Sequence, residues 1–266
     1  MSKENKNIKP YMFGILFYFI FFALITGGIA VIFYIITIPL AFTPTAENFW
    51  RKISGIRPLR LKEEKERLLP LFKEVYEGAI GADPDLSKGI KIYIKEDMSI
   101  NTFAFGRSTL VLTKGSIQLL SDESIKGLIA HEFGHFSHYD TIADLLITFG
   151  NFPLSFIVTK LANLKNQYDD SSGLIISCFK ALYNAVYYLF KGVQTIGDLF
   201  LKHIYRKREY MADDFAFKSG FGKELAGVLT QIYHMSFDKP KSVKEQLKSS
   251  HPPITLRIEE LENAIY

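Results

Sequence analysis

Cysteine is nearly absent: Cys178 stands alone in 266 residues, which excludes a disulfide framework and any thiolate metal cluster built within one chain. An excess of one charge is missing too. The 32 basic and 28 acidic residues leave a net charge of +4, too mild to argue for a nucleic-acid partner. Glycine and proline number 18 and 10, too few for a collagen-like or low-complexity chain, and 48% hydrophobic content excludes disorder. Tryptophan is limited to Trp50, so the 14% aromatic content is carried by 23 Phe and 14 Tyr. The sharpest absence is local: residues 11–46 hold no charged side chain at all.

A helix needs about 20 apolar residues to cross the hydrocarbon layer, and the run from Tyr11 to Phe42 exceeds that. Splitting it at Gly27-Gly28 leaves pieces of about 15 residues, roughly 22 Å each. One long tilted span is therefore the preferred reading and a short or re-entrant hairpin the second. A cleaved signal peptide fits badly, because the run is too long and Pro44 stands where a small residue is wanted before Ala46. From Lys52 to Gly81 apolar residues fall at helical spacing between charges, which reads as one or two amphipathic helices.

Three short β-like runs follow: Ile90 to Lys95, Asn101 to Phe105 and Thr109 to Thr113. Gly106 separates the last two as a hairpin turn does. A helix is expected from near Ser121, a suitable N-cap followed by Asp122 and Glu123, where the helix dipole favours negative charge. Two further apolar stretches, Ile142 to Ala162 and Leu174 to Leu201, carry only Asp144, Lys160, Lys180, Lys191 and Asp198. A polar loop with Asp169 and Asp170 lies between them.

Inside the predicted helix stands His131-Glu132-Phe133-Gly134-His135. Residues four apart are about 400° around a helix, so both imidazoles share one face and can bind one zinc ion. Glu132 lies beside them, close enough to hold and deprotonate a zinc-held water. Chance produces such a run in about one chain of this kind in a hundred. A catalytic zinc needs a third protein ligand and an open fourth position. His138 returns to the same face roughly 10 Å along the axis from His131, too far to share the ion, and reads as a surface or supporting residue. His203 and His234 have no partner motif and read as structural. Glu209, in Arg208-Glu209-Tyr210-Met211-Ala212-Asp213-Asp214, heads another predicted helix. On chemistry alone it is one acid among several.

The His131–His135 run, then Asp140, two apolar segments and Glu209-x-x-Ala212-Asp213 resemble the HtpX-like membrane zinc metalloproteases, a family related to the type-1 CAAX prenyl proteases. Asn101 to Gly106 and Ser250-His251-Pro252-Pro253 with Arg257-Ile258 match as well, so the motifs run in order from about residue 100 to 258. The resemblance implies one zinc ion per chain held by His131, His135 and Glu209, with Glu132 as general base. It implies an edge strand at Asn101, Phe103, Ala104 and Gly106 along which a substrate peptide pairs; the alternative is an ordinary core strand. Asp213 and Asp140 would orient His131 or His135 through the ring nitrogen turned away from zinc, and a plain helix salt bridge is the alternative for Asp213. His251 matches a family histidine near the metal. Two roles are open to it, stabilising an oxyanion or filling the fourth zinc position at rest.

The expected fold is mainly α with a small β-sheet: a zincin-like (gluzincin) metalloprotease domain combined with transmembrane helices. The expected division is a membrane anchor at 1–46, a first catalytic half at 47–141, a membrane helical pair with an acidic loop at 142–202, and a second catalytic half at 203–266. The three ligands must meet, so an even number of crossings must separate them, and the two apolar stretches satisfy this. Lys202, Arg206, Lys207 and Arg208, with Arg51, Lys52, Arg57, Arg60 and Lys62, place the catalytic halves in the cytoplasm by the positive-inside rule. The expected location is the plasma (inner) membrane of a bacterium, as a multi-pass protein. Charges inside 142–202 leave interfacial or core helices as the alternative there.

The expected reaction is hydrolysis of peptide bonds in membrane or misfolded proteins. Its partners are a protein or peptide substrate and the lipid bilayer, with no nucleic acid. A prenyl-protein or precursor protease is the alternative within the same fold. A non-catalytic metal-holding scaffold or chaperone is a third reading, opposed by Glu132, which a purely structural site does not need.

Overall fold

The computed structural model describes residues 42–168, 174–235 and 252–265, with Ile20, Ile32, Ile35, Ile36 and Pro39. The expected membrane crossing at 11–42 and His251 therefore lie outside the described residues, apart from those isolated positions and Phe42. Helix α1 (Pro44–Ile53) begins where the Thr43 hydroxyl accepts from the Ala46 N–H and Pro44 supplies a fixed first φ. Strand β1 (Ile56–Pro58) follows. It was not legible in the sequence, because three residues with an Arg and a Pro show no alternation; as an edge strand it tolerates the proline. Helix α2 (Lys62–Ala82) buries Leu68, Leu71, Val75 and Ala79, spaced three or four apart. Glu64 secures its start: the carboxylate accepts from the N–H groups of Arg60 and Leu61 and pairs with Arg57 at 2.6 Å.

Strands β2 (Lys91–Lys95), β3 (Thr102–Phe105) and β4 (Thr109–Thr113) join β1 in a sheet of order β1-β2-β4-β3. β4 runs parallel to β2 and antiparallel to β3. The hairpin at Gly106 forms, with φ +63° at a position where a side chain would be strained. All of β4 is buried between its neighbours, whereas every residue of β3, the outer strand, is half-buried.

After a short helix α3 (Lys114–Leu119), α4 (Asp122–Ser137) starts at Ser121, whose hydroxyl accepts from the Ser124 N–H. Among the described residues four helices follow: α5 (Asp140–Tyr168), α6 (Leu174–Lys218), α7 (Gly222–Met235) and α8 (Ile254–Ile265). α4 is the hub. Its Phe133 is fully buried against Phe72 and Tyr76 of α2. Gly127 and Gly134 let two other helices approach closely: a Cβ there would stand 2.5 Å from the backbone of Glu224 and 2.7 Å from the Cα of Ala212. The core around it gathers Ile94, Leu110 and Leu112 from the sheet and Leu225 from α7. The result is a mainly helical fold with a small mixed sheet.

α5 and α6 form a long antiparallel pair. Ala143 and Ile147 pack on Leu201 and Ile204, while Ser155 meets Gln194 further out. Among the described residues no helix is both long enough and apolar enough to cross a membrane. α6 is one unbroken helix of 45 residues, roughly 68 Å long. A separate helix starting at Glu209, as the sequence suggested, is not formed. No proline or glycine lies between Leu201 and Asp214, so nothing stops the first helix there.

Candidate metal centre

α4 has two working faces. Phe133 points into the core, while Leu128, His131, Glu132 and His135 line a cleft of about 520 Å³. α6 crosses α4 at the Gly134–Ala212 contact, which brings Glu209, one turn before Ala212, opposite the histidines. Glu209 Oε2 lies 3.7 Å from His131 Nε2, and Oε1 lies 3.8 Å from His135 Nε2. The two rings stand 4.8 Å apart and nearly perpendicular, at 87°. One donor atom from each of the three side chains falls within 4.8 Å of the others.

The remaining ring nitrogens meet carboxylates. His131 Nδ1 donates to Asp213 Oδ1 at 2.8 Å, and His135 Nδ1 donates to Asp140 Oδ2 at 2.9 Å. An ionised carboxylate only accepts, so each neutral ring keeps its proton on Nδ1 and turns the Nε2 lone pair toward Glu209. Asp213 comes from the turn of α6 after Glu209. Asp140 reaches His135 across the turn at Tyr139, whose φ of +59° is left-handed. That conformation costs a non-glycine residue roughly 1–2 kcal/mol, which the helices on either side sustain.

Two buried arginines close the cluster. Arg257 of α8 places Nη1 2.9 Å from Glu209 Oε2, with Nη2 and Nε each 2.7 Å from an Asp213 oxygen. Arg208 sets Nε 2.7 Å from Asp140 Oδ1 and donates to Asp144 at 2.6 and 2.9 Å. Neither function was read from the sequence. Arg257 entered only as part of a motif, and Arg208 as one charge of a basic flank. The available signal was spacing: Arg208 directly precedes Glu209, and Asp140 and Asp144 are four apart on one helix face. Asp144, met in the sequence as a stray charge in an apolar stretch, is thereby paired.

These contacts set the local electrostatics. Burial disfavours a charged His135, but the Asp140 hydrogen bond and the negative charges of Glu132, Asp140 and Glu209 outweigh it and push its pKa up to about 9. Burial would also raise the Asp213 carboxyl; His131 and Arg257 overcome this and hold it below the ordinary value.

Asn101, Phe103 and Ala104 line the cleft wall opposite α4. Gly106 does not; as the turn residue it packs against the Glu47 carboxylate. His138 caps α4, lies edge-on to Phe215 at 6.1 Å and is absent from the cleft. Cys178 is exposed on α6.

The sequence pattern of peptidase family M48 matches residues 73–265. The chain belongs to that family. It is 29% identical over 241 residues to a protein named protease HtpX homolog from Dictyoglomus turgidum, covering 78% of this chain and 72% of the relative. A Bacteroides fragilis protein of the same name is 30% identical over 186 residues, 64% of this chain and 52% of its own. The chain thus spans about half of the Bacteroides relative. Among solved structures it resembles S. mikatae Ste24p, with a TM-score of 0.58 at 21% identity, covering 95% of this chain and 61% of that one; this likeness concerns the fold alone.

The donor set of this M48 chain could hold a metal ion. A tetrahedral site with bonds of about 2.1 Å has donor–donor edges of about 3.4 Å. The separations from each histidine to Glu209, 3.7 and 3.8 Å, lie near that edge, and the donor atoms all lie within 4.8 Å of one another. Two imidazoles and one carboxylate leave a fourth position open toward the cleft.

Proposed function

We propose that this chain is a zinc endopeptidase anchored in a membrane, acting on membrane or misfolded proteins. The observation that carries the reading is the convergence of His131, His135 and Glu209 with Glu132 in one cleft walled by an outer strand. Zinc is supported by the donor set, since two imidazoles and a carboxylate with an open position suit it. When bound, zinc supplies a Lewis acid that polarises a carbonyl and lowers the pKa of a water toward about 7.

The chain's own residues do the rest. Glu132, buried in the cleft, accepts the proton of the attacking water and passes it to the departing amine. Asp213 and Asp140 keep both Nε2 atoms aimed, and Arg257 fixes Glu209. Among the described residues β3 pairs only with β4, so its other edge offers backbone groups to an extended peptide. Such pairing reads main chain rather than side chains, which suits unfolded substrates.

Anchoring in a membrane is supported by the charge-free run 11–46 and by the outward Phe156, Phe179, Leu182 and Leu189 of α5 and α6, all more than half exposed. The basic residues Lys202, Arg206 and Lys207 support a cytoplasmic placement of the cleft, in the plasma membrane of a bacterium. Hydrolysis of casein by the detergent-purified chain tests the reading, run with zinc, with a chelator, and beside Glu132→Gln. Cleavage that needs both zinc and Glu132 is the expected result. A chain that takes up no zinc, or a Glu132→Gln variant that still cleaves, overturns it. Cleavage restricted to a prenylated or dedicated precursor keeps the chemistry and changes the substrate class.

A further inference from the structure

Helix α1 is built inside out. Its one buried residue is Glu47, 7% exposed, whereas Phe49, Trp50 and Ile53 are 58%, 38% and 57% exposed. The polar face is the one that docks. The Glu47 carboxylate accepts from the Arg107 N–H and the hydroxyls of Ser108 and Thr109, and pairs with Arg51 at 3.2 Å. Arg51, one turn along, lies over the Tyr93 ring at 4.5 Å. α1 is thereby fastened to the β3–β4 turn through charge and hydrogen bonds, and its aromatic and aliphatic residues face outward. Large apolar side chains left in water forgo the free energy of burial, so this face fits a different medium.

The surroundings say which. The charge-free run of residues 11–46 leads straight into α1. Lys52, Arg60 and Lys62 are exposed on and just after it, beside an exposed Leu61. An apolar face with Trp at its edge and basic residues around it is the pattern of a helix lying in a bilayer interface.

We infer that α1 lies in the headgroup layer, with Phe49, Trp50 and Ile53 at the acyl boundary and Lys52, Arg60 and Lys62 toward anionic headgroups. The inference rests on the membrane anchoring proposed above and adds a consequence for it. Glu47 binds the turn that closes β3, so the strand offered to substrate is held at a set height over the lipid surface.

Trp50 is the only tryptophan, so its fluorescence reports this helix alone. The full chain is reconstituted into vesicles of phosphatidylcholine and phosphatidylglycerol carrying lipids brominated at shallow or deep acyl positions. Expected are a blue-shifted emission, strong quenching by shallow bromines, weaker quenching by deep ones, and little by aqueous iodide. The double variant Phe49→Asp with Ile53→Asp should lose most bromolipid quenching while retaining its zinc content. Trp50 quenched by iodide but not by bromolipid, in a chain that floats with the vesicles, overturns the inference and leaves the anchoring intact. A blue-shifted Trp50 that neither quencher reaches overturns it in favour of a protein partner or a second copy. A chain that does not float overturns both.

Discussion

Gly134 lies against Ala212: a Cβ on the glycine would stand 2.7 Å from the alanine Cα and 3.0 Å from its Cβ. The helix carrying the two histidines and the helix carrying Glu209 therefore touch through two small residues. Gly134→Ala should force them apart, at a cost of about 1–3 kcal/mol, and should lower zinc content as Glu209 retreats. Thermal melting and metal analysis check this. Gly192→Ala, on an open stretch of α6 with nothing within 4 Å, is the control and should be neutral or stabilising.

Glu132 and Glu209 are both buried carboxylates of one cleft, and substitution should separate their roles. Glu132→Gln should retain zinc and lose about 10²–10⁴ in turnover. Glu209→Ala should lose both metal and activity. Asp213→Asn and Asp140→Asn keep shape but remove the negative charge beside each ring nitrogen, and should weaken zinc binding about 10–100-fold. Full zinc occupancy in Glu209→Ala would move the third ligand elsewhere.

Arg257 lies between Asp213 and Glu209 and is itself buried. Arg257→Met leaves those carboxylates without their cation, and should destabilise the metal-free protein by about 3–5 kcal/mol. Added zinc, a second source of positive charge at Glu209, should restore part of the loss. Denaturant melts with and without zinc measure the difference.

Proton and metal compete at His135, whose pKa is raised from 6.5 to about 9 without metal. A histidine raised on folding contributes stability that is full below about pH 6.5 and is lost as pH rises through about 9. Metal uptake must expel that proton, so zinc affinity should fall about tenfold per pH unit below pH 9. Competition with a chromophoric chelator across pH reads this directly. In Asp140→Asn the dependence should shift to lower pH.

Glu64 is held down to about 2, from 4.5, chiefly by its hydrogen bond to Arg57. A depressed carboxyl contributes stability above its unfolded value and loses it as pH falls from about 4.5 toward 2. The wild-type chain should lose stability across that window, and Glu64→Gln should show a shallower decline from a lower plateau at neutral pH. Circular dichroism of acid-titrated samples checks both.

Local chemistry made much of this legible. Ser121 caps α4, Gly106 turns β3 into β4, and β4 spans Thr109–Thr113 because these features depend on residues near in sequence. The i, i+4 pairing of His131 and His135 is likewise local, a property of helix periodicity alone. Strand β1 stayed hidden because its three residues are strand only by virtue of pairing with Ile94 and its neighbours on β2. The join at residues 202–209 was misread because apolar content changes there while backbone propensity does not.

What belongs to the sequence alone is thus the pairing of His131 and His135 on one helix face with Glu132 beside them, and the β3–β4 hairpin, since each depends on spacing within a few residues. The tertiary structure alone decided the opposition of Glu209 to those histidines across the Gly134–Ala212 contact. It also decided the use of Arg257 and Arg208 against Asp213 and Asp140, and the outward turn of Phe49, Trp50 and Ile53 on α1. Partners 44 to 82 residues apart are set by packing, which no local period encodes.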